Sequence, residues 1–347
     1  MFTQHETLPP GLLDCPAERL HEKLGGPALI HLPGRRPEPL FVSVLLHGNE
    51  DVGWEAMRRL LRRYRPGGGE RPLPRALSLF IGNTEAAAVK MRRLPGQPDY
   101  NRVWPGSELP PTAEHAMMAE VVEIMAERDV FASVDLHNNT GLNPHYACVN
   151  HLRQADLHLA LLFSRIVVYF VRPRGVQSMA MAQLCPAVTL ECGKVGQAQG
   201  VAHAADFVEA CLHLSHHPEH PVPSHDIDLF HTVAVVRIPP HVSFGFGCSR
   251  RDLCLLEDLE RFNFRELPAG TLFGSVRPDL GMPLEVRDEL GREVAGRYFE
   301  VRDGELRTRV PVMPSMLTRN ENVIRQDCLC YLMERLPLVR TASRETG

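Results

Sequence analysis

The chain has 347 residues, 44% of them hydrophobic, which is enough to bury one large core or two smaller ones. A net charge of −4 and a pI near 6.5 argue against binding to nucleic acid or an acidic membrane surface through charge. The nine cysteines are scattered, odd in number and without a CxxC pair, so they make no disulfide framework and fit a reducing cytoplasm.

The first residues show no charged segment leading into an apolar one, and nowhere do about 18 apolar residues run together, so the chain reads as neither exported nor membrane-spanning. After a strand predicted over 28–32, the run FVSVLL from Phe41 reads as a buried strand ending in His47-Gly48-Asn49-Glu50, with Gly48 allowing a sharp turn. Met57, Leu60, Leu61 and Tyr64 recur at helical spacing over 54–64. A Pro/Gly-rich loop at 65–74, a strand at 76–81 and a helix at 84–91 follow. Residues 92–113 are rich in proline and cannot form a long regular element. Loops of that length inside a compact domain are commonly functional or disordered.

Next come a helix over 114–127, strands over 131–137 and 145–149, and a helix over 155–164. Strands over 166–171 and 188–192 precede a helix over 197–214. This alternation predicts an α/β fold: a mainly parallel sheet with helices on both faces. The stretch SHHPEHPVPSH at 215–225 reads as a linker, and beyond it helical periodicity gives way to short strand-like runs near 232–238, 271–276, 284–287 and 298–301. The expected division is 1–214, a linker at 215–224, and a smaller β-rich domain at 225–347.

The chemistry gathers at predicted strand ends, where open α/β sheets place their sites. His47 and Glu50 supply an imidazole and a carboxylate, two-thirds of the three-ligand set of a catalytic zinc site. The strand ASVDLHNNTG adds Asp135 and His137 on one face, so His137 is the expected third ligand and Asp135 the group that orients His47 or His137. Glu191, ending another buried strand before Gly193 and Gly196, is placed to take a proton from an attacking water and pass it to a leaving amine.

HGNE, DYNR, DLHNNTG and a strand-borne E-C-G followed by GQAQG, in that order, resemble the succinylglutamate desuccinylase/aspartoacylase family, which shares its catalytic fold with the zinc carboxypeptidases. The resemblance implies that His47, Glu50 and His137 bind one Zn2+ per chain and that Glu191 is the general base and acid. It implies that Asn101 and Arg102 hold a substrate carboxylate, a role suited to a forked guanidinium, and that Arg93, with Arg92 as the alternative, polarises the scissile carbonyl. The chain departs from the family in two places. Residues 175–186 contain no basic residue where aspartoacylases carry an Arg for a second substrate carboxylate, leaving Arg172 or Arg174 as substitutes. Asn320-Glu321-Asn322-Val323 stands where the family has a substrate-contacting Tyr.

Plainer readings stand beside these. His47 and Glu50 alone make a hydrogen-bonded strand end as readily as a metal site, and Asp135 alone is an ordinary acceptor. His213, His216, His217 and His220 sit at a helix end and in the linker and read as a solvated surface. Cys192 reads as a small buried residue, and Asn138-Asn139-Thr140 as a glycosylation pattern that a cytoplasmic chain would not use. No HExxH, GxSxG or P-loop pattern is present. The expected activity is zinc-dependent hydrolysis of an N-acyl amino acid, a small-molecule substrate, with no nucleic-acid or membrane partner and with a homo-oligomer left open. The alternatives are a metallocarboxypeptidase acting on short peptides and a non-catalytic zinc-binding protein.

Overall fold

The computed structural model describes residues 1–64, 71–247 and 250–338. Its first nine strands are Thr3–His5 (β1), Ala28–Leu32 (β2), Gly34–Val44 (β3), Leu73–Ile81 (β4), Ala132–Asn139 (β5), Tyr146–Val149 (β6), Ile166–Tyr169 (β7), Ala187–Lys194 (β8) and Asp228–Arg237 (β9). Then come Phe244–Phe246 (β10), Leu253–Leu255 (β11), Leu272–Val276 (β12), Glu285–Asp288 (β13), Phe299–Arg302 (β14), Glu305–Thr308 (β15), Met313–Ser315 (β16) and Cys330–Arg335 (β17). Among the described residues, one sheet of 12 strands runs β1-β2-β4-β3-β5-β8-β6-β7-β9-β17-β16, with β13 paired to β9. A separate sheet of 5 strands runs β10-β11-β12-β15-β14. The centre of the large sheet, β4-β3-β5-β8, is parallel throughout, as the alternating pattern predicts.

Side-chain alternation sorts these central strands onto two faces. Leu40, Val42 and Val44 of β3, Val134 and Leu136 of β5, and Val188, Leu190 and Cys192 of β8 pack into one core with the Val52–Tyr64 and Ala198–His213 helices. Phe41, Phe80 and Ala187 point the other way, into a core shared with the Ala113–Glu127 and Gln177–Met181 helices. Helices therefore cover both faces. The same parity places Ser43, Asp135, His137, Thr189 and Glu191 opposite the first core. A slip of one residue in register would turn these polar groups into the first core and its apolar side chains into the site.

Several bounds differ from the sequence expectation for local reasons. β3 starts at Gly34, seven residues early, and its register with β4 shifts between Arg36 and Leu40, where Pro37 and Pro39 offer no N–H to the ladder. The helix expected over 84–91 spans Thr84–Ala88, and Lys90 then turns to a φ of 55°. The Gln177–Met181 helix and the Glu321–Gln326 helix lacked a readable periodicity because each is barely a turn long. The loop expected over 65–74 lies at 65–70 outside the described residues, and Leu73 already begins β4.

The proline-rich loop before the Ala113–Glu127 helix is held by a buried aromatic anchor. Trp104 is 0% exposed, packs edge-on against Phe41 and Phe80, and donates its indole N–H to Tyr100 O at 2.9 Å. The linker is likewise tethered, with Arg75 and Arg36 donating to Leu214 O and His217 stacked on Phe131 while donating to its carbonyl. After the linker the chain returns to the large sheet, where β9 pairs in parallel with β7, and then builds the small sheet. No helix among the described residues is long and apolar enough to cross a membrane.

Candidate active site and metal centre

The turn after β3 brings His47 and Glu50 to the carboxyl edge of the sheet. Its strained position is Leu45, at φ 56°, while Gly48 is needed for closeness: a Cβ there would meet the Ala86 backbone at 2.3 Å. Glu50 Oε1 lies 2.9 Å from His47 Nδ1, and its Oε2 lies 2.7 Å from His137 Nδ1, presented by the neighbouring strand β5. One nitrogen from each imidazole and one oxygen from Glu50 lie within 4.8 Å of one another, all buried.

The far nitrogens of both rings face carboxylates. His47 Nε2 is 3.0 Å from Asp99 Oδ1, and His137 Nε2 is 2.7 Å from Asp135 Oδ2, whose other oxygen accepts from Ser43 Oγ at 2.6 Å. Asp135 thus serves His137, and the partner of His47 is Asp99, to which the sequence reading gave no role. Carboxylates on Nε2 fix both rings so that Nδ1 faces the centre. Burial works to raise the Glu50 carboxyl, yet the two imidazoles hold it far below the usual carboxylate range. Burial works to lower His137, and Asp135 and Glu50 instead hold it well above its ordinary value. The group is a dense concentration of acids around two imidazoles, and its two nitrogens and one carboxylate match the donor set of a zinc site with an open position.

Glu191 sits in register with His137, since β8 pairs with β5 at that level. Its Oε2 accepts from Asn139 Nδ2 at 2.9 Å. Burial pushes its carboxyl up to about 8; His137 opposes this, and Glu50 and Asp135 reinforce it.

Of the two adjacent arginines, Arg92 is the one in the site. Gly48 N–H donates to Arg92 O, pinning its backbone to the turn, and its guanidinium bonds Asp99 Oδ2 at 3.2 and 2.9 Å and lies 3.6 Å from Glu50 Oε1. The preferred Arg93 points away and donates to Gln97 O at 2.6 Å. Arg102 lines the same pocket but is shared with the protein, donating to Asp327 Oδ1 at 3.0 Å. Asn101 is turned inward: its Nδ2 reaches Asp135 Oδ2 at 3.3 Å and His137 Nε2 at 3.1 Å, and its Oδ1 accepts from Gln177 N. Arg172 and Arg174 both pair with Glu108.

These groups open into a pocket of about 680 Å3, whose lining also includes Tyr146, Asp327 and Tyr331. Asp327 joins Arg102 and Arg92 (Oδ2 at 3.4 Å), and the two cations hold its carboxyl down although burial pushes it up. Asp99 carried a signal, as the first residue of the DYNR run. Asp327 and Tyr331 carried none, because they reach the site from beyond the linker. Tyr331 sets its hydroxyl 3.5 Å from Arg102 Nη2 in the pocket lining.

The family model for the succinylglutamate desuccinylase/aspartoacylase catalytic domain matches residues 39–215. Among solved structures, succinylglutamate desuccinylase from Chromobacterium violaceum is 18% identical, with a TM-score of 0.59 over 93% of this chain and 99% of that one. A succinylglutamate desuccinylase/aspartoacylase from Rhodobacter sphaeroides is 14% identical, with a TM-score of 0.56 over 88% of each chain. A mutant of murine aminoacylase 3 is 16% identical, with a TM-score of 0.50 over 88% of this chain and 96% of that one. No curated protein sequence matches the chain. At such identities the structures speak for the fold, which extends over both halves of the chain, and the family model spans the strand ends that carry His47, Glu50, Asp135, His137 and Glu191: the chain belongs to the succinylglutamate desuccinylase/aspartoacylase family.

Proposed function

We propose that this protein is a zinc-dependent amidohydrolase that removes the acyl group from an N-acyl amino acid. The observation that carries the reading is the convergence of His47, Glu50 and His137 donor atoms within 4.8 Å beside Glu191 on the adjacent strand. Zinc held by those three residues would supply Lewis acidity toward the amide carbonyl and lower the pKa of a water molecule. Glu191 takes the proton of the attacking water and delivers it to the departing amine. Arg92, fixed by Asp99, directs a guanidinium toward the charge that grows on the carbonyl oxygen, where one donor is worth roughly 3 kcal/mol. Arg102 binds the α-carboxylate of the substrate, and Asn101 donates to Asp135, the carboxylate that orients His137. The scattered cysteines support a cytoplasmic setting.

The test is release of free amine from N-acetyl, N-succinyl and N-formyl amino acids and from dipeptides, with and without chelator, alongside zinc content by dialysis. Expected are about one zinc per chain, chelator-sensitive turnover of acyl amino acids, and a loss of about 1000-fold or more in Glu191→Ala. Turnover that survives Glu191→Ala, or a preference for dipeptides, would overturn the assignment.

A further inference from the structure

We propose that the amino-acid part of the substrate carries an uncharged, apolar side chain, received by Val168, Phe170, Pro173 and Val176 beside the Arg102 clamp; this rests on the acyl amino acid reading of the same site. An α-carboxylate on Arg102 fixes the substrate Cα one bond away, so the side chain must leave into the immediate surroundings of the clamp. Those surroundings are Asp327 and Tyr331, which bond the guanidinium, and the 168–176 segment, which is fastened to the backbone of the Arg102 loop. Gly175 O accepts from Trp104 N–H at 3.0 Å, and Gly175, at φ +74°, lies so close that a Cβ would meet Arg102 O at 2.3 Å. On its far side Gln177 N–H donates to Asn101 Oδ1 at 2.9 Å. A segment that starts in β7, paired on both sides, and is tied to the Arg102 loop at its other end presents a fixed wall, and that wall is apolar apart from Arg172. Beneath it the sheet contributes Cys148, in register with Val168.

Among the described residues that line the pocket, Arg172 is the one arginine or lysine outside the Arg92 and Arg102 pair. Three of its five N–H donors are engaged, and its charge is matched by Glu108. Nη1 and Nη2 fork onto both oxygens of Glu108 at 2.7 and 3.2 Å, and Nε donates to Glu289 O at 2.7 Å. A second carboxylate on the substrate would enter a pocket whose lining also holds Glu50, Glu191 and Asp327, and would have to compete with Glu108 for Arg172. An unpaired carboxylate is strongly disfavoured in such a place, whereas each fitted methylene is worth roughly 10-fold or more in kcat/KM. Glu108 is therefore a specificity-determining residue, acting by occupying Arg172.

The test compares the zinc-loaded enzyme on N-acetyl-leucine, N-acetyl-methionine and N-acetyl-phenylalanine against N-acetyl-aspartate and N-acetyl-glutamate. In parallel, calorimetry measures binding of free leucine and free glutamate. Expected is a kcat/KM at least about 30-fold higher for the best apolar member, with leucine bound more tightly than glutamate. In Glu108→Gln, which frees Arg172, the leucine-to-glutamate ratio should shrink at least about fivefold. Acidic members turned over or bound as well as the apolar ones would overturn the inference and leave the hydrolase reading standing. An unchanged ratio in Glu108→Gln would remove the role given to that residue. Absence of both chelator-sensitive turnover and product binding across the panel would overturn the hydrolase reading and this inference with it.

Discussion

At the scale of single residues, the site separates groups that face the reaction from groups that hold them. Arg92 and Arg93 are chain neighbours with opposite orientations, so they make a controlled pair. Arg92→Ala is expected to lower kcat about 100-fold or more with little change in KM, because the lost donor acts on charge that exists only in the transition state. Arg93→Ala should stay within about threefold of wild type; a larger loss in Arg93→Ala than in Arg92→Ala would reverse the assignment made from Arg92's contact with Asp99. The two imidazoles have matching supports, Asp99 for His47 and Asp135 for His137. Asp99→Asn and Asp135→Asn should each weaken zinc binding by about 10- to 100-fold in a chelator competition. Equal zinc affinity in wild type and both variants would make these carboxylates purely structural. His47, Glu50, His137, Asp135 and Glu191 were legible from sequence because each stands at the end of an apolar run, where a polar residue has few structural reasons to be. Arg93 misled because the spacing of a loop does not say which of two adjacent side chains turns inward.

At the scale of elements, the strands were legible because their parity is strict: β5 and β8 send every second residue into the core with Val134 and Val188 and the others to the site face. One buried polar position on these strands has no catalytic part. His31 of β2 is 3% exposed, bonds Ser78 Oγ of β4 through Nδ1 at 2.8 Å, and has no partner for Nε2. Burial, with the Arg128 charge adding to it, lowers its pKa to about 4. Between pH about 6.5 and about 4 the unfolded chain carries the proton that the folded chain refuses, so acid destabilises the fold across that window and the native state is favoured above it. The contribution is at most about 3 kcal/mol. In urea unfolding at pH 7 and pH 4.5, His31→Gln should lose less stability on acidification than wild type by about 2 kcal/mol. Equal losses in the two proteins would show that His31 titrates normally in the folded state.

At the scale of the whole molecule, the site joins parts of the chain that local sequence could not connect. Tyr331, Thr232, Met316 and Asp327 line the pocket from beyond the linker, and Asp327 reaches Arg102 across 225 residues. No periodicity or motif encodes such a pairing, because it is produced by β9 and β17 docking onto the edge of the sheet that β6 and β7 extend. Arg92, Asp99, Arg102 and Asp327 form a chain, buried at Arg92 and Asp99 and half-buried at Arg102 and Asp327, in which each arginine meets a carboxylate. Arg92 keeps Asp99 if Asp327 is neutralised, but Arg102 loses its carboxylate and is left as a half-buried cation with a carbonyl and a phenol for company. Removing one member of a buried pair costs about 3–5 kcal/mol, so Asp327→Asn should melt about 5 °C or more below wild type. On the mechanism proposed above it should also raise KM for the acyl amino acid about 10-fold, since Arg102 would no longer have a fixed orientation for the α-carboxylate, while kcat, assigned there to Arg92 and Glu191, should fall much less. A variant with unchanged melting and unchanged KM would mean that the second half of the chain merely covers the pocket. A fall in kcat alone would move Asp327 from holding the substrate clamp to supporting Arg92.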